Sequence, residues 1–304
     1  MKVLIAGGSG LIGSALSNSL LAAGHQVVII SRQPDKTGNL PSGIKTIGWA
    51  SEDLIRAVST ADAVVNLAGA SIAADNPFRM RWTTQRKTEI LDSRLQAGAK
   101  LTKAIQAAGT IPEVLIQASA IGYYGNVGSE LVDETSSAGD DFLAGVCQGW
   151  EGSTKVLEIL GVRRVIIRIG LVFSPVGGLF QLLKLPFLFY LGGQIGTGNQ
   201  YLSWIHIDDL VAAIRYLIDN RFNQGVFNLT APKPVQNRDF AQRLGKILTK
   251  PAWFPVPGVV LRLLLGEVST LALDGRQVYP TRLLDSGFGF RFDQLDFALK
   301  DLLA

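Results

Sequence analysis

The first thirteen residues, Met-Lys-Val-Leu-Ile-Ala-Gly-Gly-Ser-Gly-Leu-Ile-Gly, constrain the fold of this chain more than any other stretch. Val3 to Ala6 is a short apolar run that reads as a buried strand. Gly7, Gly10 and Gly13 follow at three-residue spacing, and a helical pattern starts at Leu11. A strand, a glycine turn and a helix N-terminus converge backbone N–H groups on one point, and the missing side chains let an anion approach. In that context the glycines point to a dinucleotide pyrophosphate.

The first 170 residues continue the same rhythm. Lys2–Ala6, Gln26–Ile30, Ile44–Ile47, Ala63–Ala68, Val114–Ala118 and Val165–Ile169 read as strands. Between them lie helical patterns over Leu11–Ala23, Glu52–Ser59, somewhere within Phe78–Ala108, and Cys147–Leu160. Near-continuous apolar strands joined by helices predict an α/β fold, a doubly wound parallel (Rossmann) sheet covered on both faces. A Gly- and Pro-rich stretch, 174–198, breaks the rhythm. A helix to about Asp219 and a strand Val226–Leu229 follow, and helices dominate from Pro232 onward. The expected division is a nucleotide-binding domain of residues 1–173 plus 203–230 and a smaller, mainly helical C-terminal lobe of 174–202 plus 231–304. Its last helix, with Asp293 as expected N-cap, places Leu295, Ala298, Leu299 and Leu302 on one face.

Composition excludes several classes. With 47% hydrophobic residues the chain can bury a large core. Its greasiest run, Leu179 to Leu191, is interrupted by Lys184 and Pro186 and is too short to span a bilayer, so core or lid packing is expected of it, with a partner or membrane surface as the lesser reading. The opening strand at residue 2 leaves no room for a cleavable signal, and the expected location is cytoplasmic. One cysteine, Cys147, and two histidines, His25 and His206, give no disulfide framework and no neighbouring metal-ligand set. The net charge of +4 comes from scattered residues; the densest group, Arg79, Arg81, Arg86 and Lys87 around Trp82, suits a solvated helix face or a small polyanion better than nucleic acid.

The end of the second strand bears on the cofactor. NAD-selective sheets place an acidic residue there to hold the ribose 2′-hydroxyl. This chain reads Ile30-Ser31-Arg32, with no carboxylate before Asp35. Arg32 can fork around a 2′-phosphate and Ser31 adds a hydroxyl, which favours NADP. The fourth strand ends Asn66-Leu67-Ala68-Gly69, small residues that let backbone pass close to a bound ring or ribose.

Taken with Ser119-Ala-Ile-Gly-Tyr-Tyr-Gly125 and Trp204-Ile-His-Ile-Asp-Asp209, these motifs resemble an extended short-chain dehydrogenase/reductase. Arg86-Lys-Thr-Glu-Ile-Leu-Asp-Ser-Arg94, Cys147-Gln-Gly-Trp-Glu151, the run 196–206 and Gly287-Phe-Gly-Phe290 resemble one atypical branch, the NAD-dependent epimerase/dehydratase-like "epimerase family" with its C-terminal domain. The resemblance covers essentially the whole chain. It implies that Gly7, Gly8, Ser9, Gly10, Leu11 and Ile12 hold the pyrophosphate and Ser31 and Arg32 the 2′-phosphate. It also implies that Leu67 and Ala68 line the adenosine side, that Glu89 and Arg94 reach the middle of the cofactor, and that Leu171 lies near the nicotinamide; Gly69 and Ala118 are further expected cofactor contacts.

What the chain lacks is equally informative. Members of the superfamily use a tyrosine with a lysine four residues on, the lysine lowering the phenol pKa. Four residues beyond the six tyrosines stand Val127, Gly128, Gln194, Ile205, Asn220 and Leu283. Aligning Glu151 with the glutamate that usually follows the pair puts Leu143 and Cys147 at its two positions. Ser119 then remains as the assisting hydroxyl, or as a strand-end serine bonding local backbone. Tyr124 is the nearest phenol that could serve as acid. Cys147 reads as a small hydrophobe or a thiol at the nicotinamide, and His206 as a hydrogen-bonded structural histidine. Arg168 would meet an anionic substrate or pair with a carboxylate such as Asp208. Gln194, Asn199 and Gln200 would cover a ligand or simply shape a hairpin. The expected function is an NADP(H)-binding oxidoreductase-like protein acting on an unknown small molecule. The competing reading is a non-catalytic NADP(H) sensor, linked by resemblance to cell or plastid division.

Overall fold

The computed structural model describes residues 1–35, 40, 43–72 and 81–304. Seven parallel strands form its centre: β1 (Lys2–Ala6), β2 (Gln26–Ile30), β3 (Lys45–Ile47), β4 (Ala63–Asn66), β5 (Val114–Ala120), β7 (Arg163–Ile169) and β11 (Gly225–Leu229). Their order across the sheet is β11-β7-β5-β4-β1-β2-β3. The chain runs outward from β1 to β3, returns to β4 on the other side of β1 and continues to β11. The reversal opens a crevice beyond the carboxyl ends of β1 and β4, the usual ligand site in such sheets.

Alternation along each strand sorts its side chains to two faces. Val3, Ile5, Val27, Ile29 and Val65 pack against α1 (Leu11–Ala22) and α6 (Ile207–Asp219) through Leu16, Leu20, Leu210, Ile214 and Leu217. Leu4, Ala6, Val28, Ile30 and Val64 face the other way, onto α2 (Ser51–Val58) and α3 (Thr84–Ala107) through Leu54, Val58, Leu101 and Ile105. Each buried Leu, Ile or Val contributes roughly 1.5–3 kcal/mol, so both faces of the sheet must be covered. This is why the strands read as unbroken apolar runs.

α3 starts where Thr83 Oγ1 accepts the Arg86 N–H at 3.2 Å. The stretch expected to precede it, including Phe78 and Arg79, lies outside the described residues. α4 departs from the expected Cys147–Leu160. It spans Phe142–Gly152, because Asp141 caps it by accepting the Ala144 N–H at 2.8 Å, and a short 3-10 turn, Lys155–Glu158, follows.

A third apolar cluster joins Phe173, Phe180, Phe187, Trp204 and Phe240 with Leu295, Ala298, Leu299 and Leu302. It unites α5 (Leu179–Leu188), α7 (Asn237–Leu248) and α11 (Leu295–Leu303) around the short strands β8 (Leu171–Phe173), β9 (Tyr201–Leu202), β10 (Trp204–His206) and β12 (Val235–Gln236). α8 (Gly258–Leu265), α9 (Thr270–Leu273) and α10 (Thr281–Asp285) complete the helices. β13 (Gln277–Val278) pairs with β6 (Leu131–Val132) and ties this region back to the loop after β5. Asp293 is not the cap of α11: Gln294 holds that position, and Asp293 pairs with Lys233 at 2.9 Å instead. Among the described residues no helix is long and apolar enough to cross a membrane.

Candidate functional site

The glycine turn sits directly over the crevice. Gly7 has φ +80°, and a Cβ there would fall 2.8 Å from the carbonyl carbon and oxygen of Leu67. A Cβ on Gly8 would lie 2.5 Å from Ile29 Cγ1, and one on Gly13 2.4 Å from the Gly7 oxygen. Only glycine therefore lets the β1–α1 turn, the β4 end and β2 close on one another. No side chain caps α1 at Gly10, and its first turn closes with the Ser14 N–H on the Gly10 oxygen at 2.8 Å. The N–H groups ahead of Ser14 are left without helical acceptors, at the positive end of the helix dipole. Leu11 lies under Gly178, whose Cβ position is 3.0 Å from Leu11 Cδ2, so the β8–α5 loop overhangs the turn.

Around the turn, the residues expected at the adenosine and middle sections divide by setting. Arg32 is exposed at the end of β2, and Ser31 Oγ accepts the Gln33 N–H at 3.1 Å. Leu67 and Ala68 continue β4, the Leu67 N–H bonding the Ala6 oxygen and the Ala68 N–H the buried Asn66 side chain. Arg94 comes up from α3 beneath Gly69, where a Cβ would lie 2.9 Å from its guanidinium carbon. It is 6% exposed, and its partners among the described residues are the oxygens of Ala70 (3.0 Å) and Ile90 (2.9 Å) and the Trp150 ring. Burial lowers its pKa to about 10. Glu89 is exposed and pairs with Arg86 at 2.6 Å. The described members of the basic group around Trp82 are occupied by other contacts: Arg81 donates to the Leu263 and Leu264 oxygens, Arg86 pairs with Glu89, and Lys87 pairs with Glu267.

At the carboxyl ends of β5, β7 and β11 the polar groups form one buried chain. Ser119 donates to Glu151 Oε1 at 2.7 Å, and Arg168 Nε donates to the same oxygen at 2.9 Å, with a second bond to Oε2 at 3.1 Å. Arg168 also donates to Tyr124 Oη (3.1 Å) and stacks 3.3 Å from the Tyr123 ring. Tyr124 in turn donates to Asn228 Oδ1 at 2.7 Å, and Asn228 donates to the Tyr279 oxygen. The carboxylate of Arg168 is thus Glu151, not Asp208, which pairs with Arg291 at 3.5 Å. Burial pushes the Tyr124 phenol up to about 12 despite Arg168. Burial opposes the Arg168 charge, but its bonds to Glu151 outweigh that and hold its pKa above the ordinary arginine value. Ser119 and Tyr124 are each 2% exposed. Asn228 is a site residue the motifs do not reveal; its signal is a polar residue inside an otherwise apolar buried strand. Gln117 and Asn66 carry the same signal and bond each other at 3.0 Å.

Leu143 and Cys147, one turn apart on α4, both lie against Gly122 at the end of β5. Leu143 packs with Trp82, Ile90, Val146 and Val268. Cys147 donates to the Ala120 oxygen at 3.6 Å, and burial pushes its thiol up to about 11. Ala118 is buried in β5, and Leu171, half-buried, opens β8, its N–H bonding the Ser203 oxygen. Gln200 bonds the Ile195 and Ala272 oxygens and Gln194 the Thr197 oxygen, so these amides brace their loop and tie it to α9.

His206 caps α6, Nδ1 accepting the Asp208 N–H at 3.1 Å. The expectation that no ligand set surrounds it is corrected by the fold, which brings Asp301 from α11 beside it with Asp208. That capping bond places the ring proton on Nε2, which lies 3.4 Å from Asp301 Oδ2 without forming a hydrogen bond to it.

A doubly wound sheet with an open glycine turn at its switch point and a buried polar chain beside it defines a dinucleotide-binding protein of the short-chain dehydrogenase/reductase kind. The chain belongs to the epimerase family. Residues 3–142 match the NAD dependent epimerase/dehydratase family, and residues 256–302 match a domain of unknown function, DUF1731. It is 36% identical over 307 residues to the Epimerase family protein YfhF of Bacillus subtilis, covering 100% of this chain and 98% of that one. Among solved structures it resembles the human epimerase family protein SDR39U1 with NADPH, at 35% identity, TM-score 0.89 and 99% of each chain. It also resembles a nucleoside-diphosphate sugar epimerase of Corynebacterium glutamicum, at 30% identity and TM-score 0.77, over 100% of this chain and 58% of that one.

Proposed function

We propose that this protein binds NADP(H) across the crevice and is an oxidoreductase whose proton does not come from a tyrosine–lysine pair. The observation that carries the cofactor reading is the β2 end, where Ser31 and the exposed Arg32 stand with no carboxylate before Asp35. A 2′-phosphate fits there and a bare 2′-hydroxyl gains no acceptor. The glycine cradle fits a pyrophosphate, because any Cβ at Gly7, Gly8 or Gly13 would close it. Arg94, desolvated and held by main-chain oxygens and the Trp150 ring with no carboxylate beside it among the described residues, supplies a fixed positive charge beside Gly69. The NADPH reported for the human relative supports the same choice.

When bound, the nicotinamide supplies or accepts a hydride. The chain's own residues shape the floor beneath it. Leu143 and Cys147 offer no acid in the ordinary pH range, and a thiol near 11 stays protonated. Ser119 and Tyr124 act through the Arg168–Glu151 pair, holding the ends of β5, β7 and β11 in register, since both hydroxyls are already bonded and buried. The substrate proton then comes from outside this closed set, from water or another side chain.

One observation favours the sensor reading: Leu143, with Phe142 against Trp82, fills the place of a catalytic tyrosine with packed apolar surface. Titration with NADPH and NADH, followed by nicotinamide fluorescence, tests the cofactor claim. Arg32→Ala is expected to weaken NADPH at least tenfold and leave NADH within twofold; equal loss for both refutes the 2′-phosphate assignment. Oxidation of bound NADPH by any member of a carbonyl panel supports the enzyme. Tight binding with no turnover across the panel leaves the sensor.

A further inference from the structure

Twelve of the twenty-one large apolar side chains exposed among the described residues fall in two stretches, 182–191 on and after α5 and 253–264 on and before α8. The two stretches adjoin. Trp253 Nε1 donates to the Tyr190 oxygen at 3.1 Å, the Phe254 N–H bonds the Gly192 oxygen, and Ile195 and Val256 form a β-bridge. α8, Gly-Val-Val-Leu-Arg-Leu-Leu-Leu, has no buried residue at all; Val259 and Leu263 are each more than 70% exposed. A helix this apolar and this bare is an interaction surface rather than scattered surface hydrophobicity.

Charge decides what covers it. Residues 175–207 and 240–266 contain no aspartate or glutamate, yet carry Lys184, Arg243, Lys246, Lys250 and Arg262. Arg243 pairs with Asp296 of α11 at 3.1 Å, and the other four cations form no ion pair among the described residues. Asp274, half-buried, is the carboxylate within electrostatic reach of Arg262, and Lys250 Nζ lies 3.7 Å from the centre of the Tyr190 ring. A two-fold pairing with a second copy would bring these cations against one another. An anionic lipid surface meets the same face with opposite charge. It receives the leucines and valines in its acyl boundary and suits Trp253 and Tyr190 at headgroup level.

We infer that the α5–α8 face is a peripheral docking surface for anionic membranes. The mouth of the cleft lies close by, since Arg81 holds the end of α8 and Val268, just after it, packs on Leu143. Docking would therefore present the cleft beside the bilayer rather than far from it.

Co-sedimentation of the full chain with vesicles of equal phosphatidylglycerol and phosphatidylcholine, against phosphatidylcholine alone, tests this at low and high salt. The wild-type chain is expected to sediment with the anionic vesicles at least tenfold better than with the neutral ones, and less so at high salt. Val259→Glu with Leu263→Glu should abolish sedimentation while leaving the thermal midpoint within 2 °C, because both side chains are already in water. Lys184→Gln with Lys250→Gln should lower it several-fold. No sedimentation with anionic vesicles at low salt overturns the proposal. So does a concentration-dependent dimer of the wild type, seen by light scattering, that Val259→Glu with Leu263→Glu disperses while vesicle binding stays absent.

Discussion

Substituting Glu151→Gln should be the most destabilising conservative change in the candidate site. Arg168 is 3% exposed and Glu151 9%, and they meet through two hydrogen bonds of 2.9 and 3.1 Å, with Ser119 adding a third to the same carboxylate. The amide keeps the shape and one oxygen, so Ser119 and Arg168 Nε retain an acceptor. The other atom becomes an N–H pointed at an Arg168 N–H, and the guanidinium is left buried without a counter-charge. Removing one partner of such a pair costs about 3–5 kcal/mol. Against a total stability of about 5–15 kcal/mol, that is a large fraction. Urea unfolding followed by tryptophan fluorescence should show the midpoint falling with the slope unchanged. Arg168→Met with Glu151→Leu removes both charges, and buried pairs replaced by apolar groups are often neutral. It should recover at least half the loss, because Tyr124 keeps its bond to Asn228. A loss under about 1 kcal/mol for Glu151→Gln, or a double variant worse than the sum of the singles, would refute the pair as the support of this corner.

Two further outcomes follow from buried titratable groups. With its thiol pushed up to about 11, Cys147 should resist an aromatic disulfide reagent in the native protein at pH 8, where only about one thiol in a thousand is ionised. Rapid native labelling, as fast as in denaturant, would contradict the burial of α4 against Ala120. His206 is held below the ordinary histidine pKa by burial, although Asp208 and Asp301 pull the other way. The unfolded chain therefore takes up this proton first, so its contribution to stability is full above about pH 6.5 and declines as the pH falls below it. His206→Asn keeps a side-chain acceptor for the Asp208 N–H, and the wild-type-minus-variant difference in thermal midpoint should shrink between pH 7.5 and pH 5. A flat difference would show that the ring is not held neutral.

Most of the sheet was legible because its signals are local. The β1 and β2 boundaries agree with the apolar runs, and β5 and β7 are longer by two residues because their ends pair with each other, Ser119 opposite Arg168 and Val114 opposite Arg163. Cap chemistry was less legible. Asp141, three residues before Ala144, is an ordinary N-cap signal, but the apolar pattern suggested a start at Cys147. Asp293 read as a cap until Lys233 claimed it across 60 residues. The polar chain at the candidate site was almost invisible for the same reason. Ser119, Tyr124, Glu151, Arg168 and Asn228 come from five separate segments, and no spacing rule links Arg168 to Glu151 rather than to Asp208.

That chain also bears on why the usual tyrosine and lysine could be absent without the fold failing. Where the resemblance places the pair, Leu143 and Cys147 fill space against Gly122 and carry no charge that needs compensation. The polar burden of this corner is carried one layer deeper, where Arg168 gathers Glu151, Tyr124 and the Tyr123 ring into a closed set of partners. A closed set rigidifies a site but leaves no hydroxyl free to exchange a proton with a substrate. The glycine cradle, Arg32 and Arg94 are the opposite case: an uncapped helix end, an exposed guanidinium, and a buried one that meets carbonyl oxygens and the Trp150 ring but no carboxylate among the described residues. On the function proposed above, these are the groups through which the chain holds its nucleotide, whereas the closed set offers no free tyrosine hydroxyl to protonate a substrate.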